Sequence, residues 1–90
     1  MTGVSPPTIE IHVRYFAAAR AAAGVEDETL SVASGTTVTD LLATLRTRGP
    51  KLAVVLDRCS FLCDGIAVRD VRRALETNQT IDVLPPFAGG

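Results

Sequence analysis

The sequence predicts an α+β domain, a mixed sheet of four or five strands packed on one main helix. Three observations predict it. Residues 9–15 alternate apolar and polar side chains with a period of two. Residues 38–45 carry apolar side chains at helical spacing. Asp64-Gly65 sits between two short apolar runs, as a tight hairpin turn does. Ninety residues suit a single domain. A chain of that size buries roughly two thirds of its unfolded surface and can hold a core without staples.

The first strand is the plainest element. Ile9, Ile11 and Val13 face a core, while Glu10, His12 and Arg14 face outward. His12 therefore sits among polar neighbours on the outer face, with no orienting partner in the sequence to make it a catalytic base. Phe16 and an alanine run follow, and Gly24 ends them. Alanine is the best helix former and glycine the usual left-handed terminator, so a short helix is expected over 17–23. A second strand is expected over 28–33, with Leu30 and Val32 inward, and Ser34-Gly35 as the turn after it. Glu26-Asp27-Glu28 reads as a polar loop ahead of that strand.

The main helix is expected over 38–48. Thr37 is a good N-cap, and Asp40 three residues on suits a capping box and the positive end of the helix dipole. Val38, Leu41, Leu42 and Leu45 form one apolar stripe, and Gly49-Pro50 stops the helix. A second short helix at 51–57 carries Leu52, Val55 and Leu56. Phe61-Leu62-Cys63 and Ile66-Ala67-Val68 form the hairpin arms around Asp64-Gly65. Asn78-Gln79 makes the turn before the last strand, Thr80 to Leu84, which Pro85 ends because it lacks an N–H for the ladder.

Composition excludes several function classes. Apolar residues make up 47%, charged residues 21%, and the formal net charge is −1. That balance offers no field to draw nucleic acid or an anionic membrane. Arg69, Arg72 and Arg73, with Asp70 among them, read as a solvated turn. No apolar stretch approaches the length of a membrane span and none reads as a secretory signal, so a soluble cytoplasmic protein is expected. Cys59 and Cys63 are the only cysteines. In one strand they would lie about 13 Å apart, too far for a disulfide. With one distant histidine they make no metal site, and they read as structural thiols.

Strand, short helix, strand, main helix, short helix, hairpin and final strand are most economically arranged as a β-grasp, the ubiquitin-like architecture. The first and last strands would lie side by side and parallel in its middle. The body, over 8–84, contains no phosphate-binding loop, zinc-protease motif or nucleophile elbow. Residues 1–7 read as a loose extension. The remaining candidate is the reactive tail at 85–90.

That tail is Pro85-Pro86-Phe87-Ala88-Gly89-Gly90. Its terminal carboxylate, ionised at neutral pH, resists nucleophiles until a partner converts it to a mixed anhydride. Gly89 and Gly90 allow passage through a narrow channel. Six residues reach at most about 20 Å. Pro85 and Pro86 limit the entropy lost on ordering, and Phe87 can anchor in an apolar slot.

The chain resembles the MoaD/ThiS family of β-grasp sulfur carriers. Val13-Arg14-Tyr15-Phe16-Ala17-Ala18-Ala19-Arg20 with Gly24, the helix from Thr37 to Leu45, Asp64-Gly65, and above all Leu84-Pro85-Pro86-Phe87-Ala88-Gly89-Gly90 carry the likeness. It extends over nearly the whole chain from Ile9 and is closest to the molybdopterin branch. The resemblance implies that an E1-like activating enzyme adenylates Gly90 with ATP, and that a sulfurtransferase or persulfide then leaves a thiocarboxylate there. The carrier itself binds no cofactor. In the molybdopterin branch the tail enters the large catalytic subunit of molybdopterin synthase, in a heterotetramer, and passes its sulfur to a cyclic pyranopterin phosphate. Pro85, Pro86, Phe87, Ala88 and Gly89 would bind the partner. No nucleic acid, membrane or metal takes part. A carrier for thiazole or cysteine synthesis would use the same tail chemistry. A ubiquitin-like protein modifier is a further alternative, although Lys51 is its only lysine. Asn78-Gln79 stands where the family often has Gly-Asp. Phe61, Leu62 and Leu84 are candidates for an apolar docking patch, with core packing expected for at least one of them.

Overall fold

The computed structural model describes residues 7–86. The chain runs β1 (Thr8–Tyr15), α1 (Ala17–Ala23), β2 (Asp27–Ala33), α2 (Val38–Arg46), α3 (Pro50–Leu56), β3 (Ser60–Cys63), β4 (Ile66–Ala67) and β5 (Thr80–Leu84). The strands form one five-stranded sheet in the order β2-β1-β5-β3-β4. β1 and β5 are parallel neighbours, with Val13 opposite Ile81 and Tyr15 opposite Val83. The β1–β2, β3–β5 and β3–β4 pairs are antiparallel. This is the expected mixed β-grasp sheet, and its middle strand is the one that leads to the C-terminus.

One face of the sheet carries the core. Ile11, Val13 and Tyr15 from β1 and Ile81 and Val83 from β5 are buried against Val38, Leu41, Leu42 and Leu45 of α2. Leu52 and Leu56 of α3, Ala19 of α1 and Leu75 from the β4–β5 connection complete the cluster. Burying a leucine or isoleucine of this set contributes about 1.5–3 kcal/mol. Leu30, Val32 and Phe61 pack at its rim.

Local chemistry sets the element ends. Gly24 is left-handed at φ 80, and its N–H donates to the Arg20 carbonyl. The Thr37 hydroxyl accepts from the Asp40 N–H, while the Asp40 carboxylate accepts from the Thr37 N–H, a complete capping box. Asp64 and Gly65 both take positive φ, 51 and 82, as the two-residue hairpin turn demands. Asn78 also adopts the left-handed region at φ 66, so it serves the turn in place of glycine.

Several boundaries differ from expectation by a residue or two. α2 ends at Arg46 rather than 48. The Thr47 and Arg48 N–H groups bond three residues back, to Thr44 and Leu45, so the last turn tightens out of the α form. α3 begins one residue early because Pro50, with no N–H to lose, suits the first helical turn. β4 stops at Ala67, although the Val68 N–H still reaches the Phe61 carbonyl at 2.9 Å. The acidic run is only partly a loop. Asp27 opens β2, and Glu28 accepts bonds from Arg48 at 2.8 Å and the Tyr15 hydroxyl at 2.6 Å.

Candidate functional site: the root of the C-terminal tail

Of the predicted site residues, Pro85 is half-buried and Pro86 exposed at the end of β5. Phe87, Ala88, Gly89 and Gly90 lie outside the described residues. The root of the tail is therefore what the structure defines. β5 is held there from both sides. Leu84 pairs with Ser60 of β3. Toward β1, the Phe16 N–H donates to the Val83 carbonyl at 3.2 Å. After that bond the chain turns into α1 through Phe16, whose side chain is 38% exposed.

The helices cover only the core face, so the opposite face of the sheet is open around this root. Cross-strand register assigns its residues: Leu62 lies opposite Asp82, and Ser60 opposite Leu84. Leu62 and Leu84 thus form the apolar part of the outer face, next to the tail. Phe61 does not belong there. It lies opposite Val83 and turns into the core, because neighbouring strand residues point to opposite faces.

The centre of this face carries an ion pair that inspection of the sequence missed. Asp82 is the buried charged residue among those described. Its Oδ1 accepts from Arg14 Nε at 2.6 Å and its Oδ2 from Arg14 Nη2 at 2.8 Å. The Arg14 guanidinium also lies 5.5 Å from the centroid of the Phe16 ring. The signal was present in the sequence: both residues occupy outward positions of strands expected to be parallel neighbours. Beside the pair, His12 Nδ1 and Thr29 Oγ1 share a 2.9 Å hydrogen bond. A shallow groove of about 440 Å³ runs over His12, Arg14, Asp64, Thr80 and Asp82. His12 is half-buried on the outer face, as alternation required.

The body supplies no activated nucleophile at its cysteines. Cys59 precedes β3 rather than sharing a strand with Cys63, and both thiols are free. Cys59 Sγ donates to the Val55 carbonyl at 3.1 Å. Burial pushes the Cys59 thiol up, and burial followed by the neighbouring Asp64 charge does the same to Cys63. Both stay protonated at neutral pH, the weakly nucleophilic form.

Comparisons with known proteins converge. The family model described as "ThiS family" matches residues 13–90. A "molybdopterin synthase sulfur carrier subunit" from Chlamydomonas reinhardtii is 34% identical over 83 residues, 91% of this chain and 100% of the relative. Its counterpart by name from Homo sapiens is 31% identical, over 93% of this chain and 98% of the relative. Among solved structures, a putative molybdopterin converting factor subunit 1 from Pyrococcus furiosus superposes with a TM-score of 0.79 at 26% identity. That match spans 87% of this chain and 98% of the other. Small archaeal modifier protein 1 from Methanosarcina acetivorans gives 0.78 at 27% identity, over 93% and 99%.

Proposed function

This chain belongs to the ThiS family, and from that membership we propose that it is the sulfur carrier subunit of a molybdopterin synthase. The observation that carries the reading is the shared name of two curated relatives that the chain matches over nearly their whole length. The reactive group is the carboxylate of Gly90. An E1-like enzyme activates it: a carboxylate oxygen attacks the α-phosphorus of ATP and pyrophosphate leaves. The outer sulfur of a sulfurtransferase's persulfide then displaces AMP to form an acyl disulfide. A second thiol attacks the donor's own sulfur, which breaks the S–S bond, leaves a disulfide on the donor side and releases a thiocarboxylate on Gly90. The tail, with Pro85, Pro86, Phe87, Ala88 and Gly89 as its contact residues, delivers that sulfur to a cyclic pyranopterin phosphate in the large catalytic subunit. The chain is a cosubstrate that works in the cytoplasm, completed by a partner that supplies the active site. A site closed around the tail limits hydrolysis of the thiocarboxylate.

The body suits such a role. β5 is the middle strand, so the root of the tail belongs to a strand paired on both sides. Removing Gly89 and Gly90 tests the reading. The truncated chain keeps the unfolding midpoint of the full chain and gains no sulfur from an activating enzyme, ATP and a sulfur source. Sulfur transfer by the truncated chain would contradict it.

The structural likeness to an archaeal modifier favours a second reading, attachment of Gly90 to amino groups of other proteins. Lys51 is the only lysine of this chain, so chains of linked copies would have one side-chain site. A conjugate resistant to thiols, formed with target proteins in place of a thiocarboxylate, would support that alternative.

A further inference from the structure

Apolar alternation decides which face of β5 is buried, but not where the strand sits along β1. Ile81 and Val83 would face the core as observed or two residues along, because side chains alternate with a period of two. Backbone ladders are equally indifferent to a two-residue step. Only side chains with specific partners distinguish the two registers. At the start of β5, Thr77 Oγ1 accepts from the Glu10 N–H of β1 at 3.2 Å, and Asp64 Oδ1, in the β3–β4 turn, accepts from the Thr80 N–H at 2.8 Å and fixes the strand against β3. At the end, near the tail, the task falls to Arg14 and Asp82. They are register partners across β1 and β5. Their two parallel bonds, at 2.6 and 2.8 Å, have a geometry that a slipped strand cannot satisfy. The Asp82 side chain is 7% exposed, so a slip would leave its charge poorly solvated and unpaired.

We propose that Arg14 and Asp82 are positioning residues for the C-terminal glycine: the pair locks the end of β5 in register and so sets where the tail leaves the sheet. A two-residue slip would move that point by about 6.6 Å. That is about a third of the roughly 20 Å that any six residues can reach when fully extended. The geometry stands by itself; its consequence for sulfur transfer rests on the sulfur-carrier reading. Net stability is the weaker explanation for the pair, because the desolvation of Asp82 offsets much of its attraction to Arg14, whose own side chain stays 54% exposed.

The test replaces both partners at once, Arg14→Leu with Asp82→Leu, so that neither charge is left alone. Amide hydrogen exchange is measured on the full chain. The Phe16 N–H, bonded to the Val83 carbonyl, reports the end of β5, and the Leu41 N–H, bonded to the Thr37 carbonyl, reports α2. The lock predicts exchange about tenfold faster at Phe16 with Leu41 unchanged. Sulfur loading by an activating enzyme should show kcat/KM lowered about tenfold. Asp82→Asn, which keeps the shape and part of the hydrogen bonding, should show the same pattern at about threefold, and it serves if the double variant does not fold. Unchanged exchange at Phe16, or equal acceleration at both amides, overturns the lock. Faster exchange at Phe16 with normal loading overturns its role in transfer. A wild-type chain that gains no sulfur refutes the carrier reading, and the exchange pattern then decides the lock alone.

Discussion

Tyr15 shows at the residue scale how one side chain ties three elements. It is 1% exposed in the core, and its hydroxyl donates to Glu28 on β2, which Arg48 beyond α2 also holds. Burial first, then the bond to Glu28, pushes the phenol well above its ordinary value. Above pH 10 the unfolded chain therefore releases this proton while the folded chain keeps it, and stability falls as pH rises. Urea unfolding at pH 9 and pH 11 should show an extra loss of about 1.4 kcal/mol in the wild type compared with Tyr15→Phe. At neutral pH the same substitution should cost about 1 kcal/mol for the lost hydrogen bond. Equal pH slopes in the two proteins would contradict this account. The inward place of Tyr15 follows from strand alternation, whereas its partners did not: Glu28 and Arg48 meet it only through the fold. Arg14 and Asp82 are the same case. Each is an ordinary outward charge in its own strand, and only the parallel pairing of residues 68 apart brings them together.

At the scale of the element, the local signals were the legible ones because their chemistry is contained in a few adjacent residues. Thr37 with Asp40, Gly24 after an alanine helix, and Asp64-Gly65 between apolar runs each specify a backbone conformation without help from the rest of the chain. Thr37→Ala removes a cap that serves the Asp40 N–H and should cost about 1 kcal/mol, read from the urea midpoint. At Gly65, with φ +82, an added Cβ meets no atom within 4 Å. Gly65→Ala should therefore cost about 1–2 kcal/mol through backbone conformation alone. Gly65→Asn should cost less, since asparagine tolerates that region. Element ends were less legible. The tightened last turn of α2 and the early end of β4 depend on where tertiary neighbours take the chain, which no local pattern records.

For the whole molecule, the sheet order makes a short apolar strand the support of the end proposed to carry sulfur. β5 lies between β1 and β3, and one face of it is the core while the other carries Thr80, Asp82 and Leu84. That arrangement was legible from element order, since parallel first and last strands are what the β-grasp requires. The division of Phe61 inward and Leu62 with Leu84 outward needed the observed register. Phe87 belongs to the tail beyond the described residues, and its assignment as an anchor makes a distinct prediction. Phe87→Ala should weaken binding to the large subunit by about tenfold or more while leaving the thermal midpoint unchanged. A large fall in thermal stability would instead make it a core residue. The central claim, that Gly90 carries sulfur, is tested most directly by intact mass. With an activating enzyme, ATP and a sulfur source, the chain should gain about 16 Da at its C-terminus as oxygen is replaced by sulfur. An unchanged mass, under conditions that convert a known carrier, would contradict it.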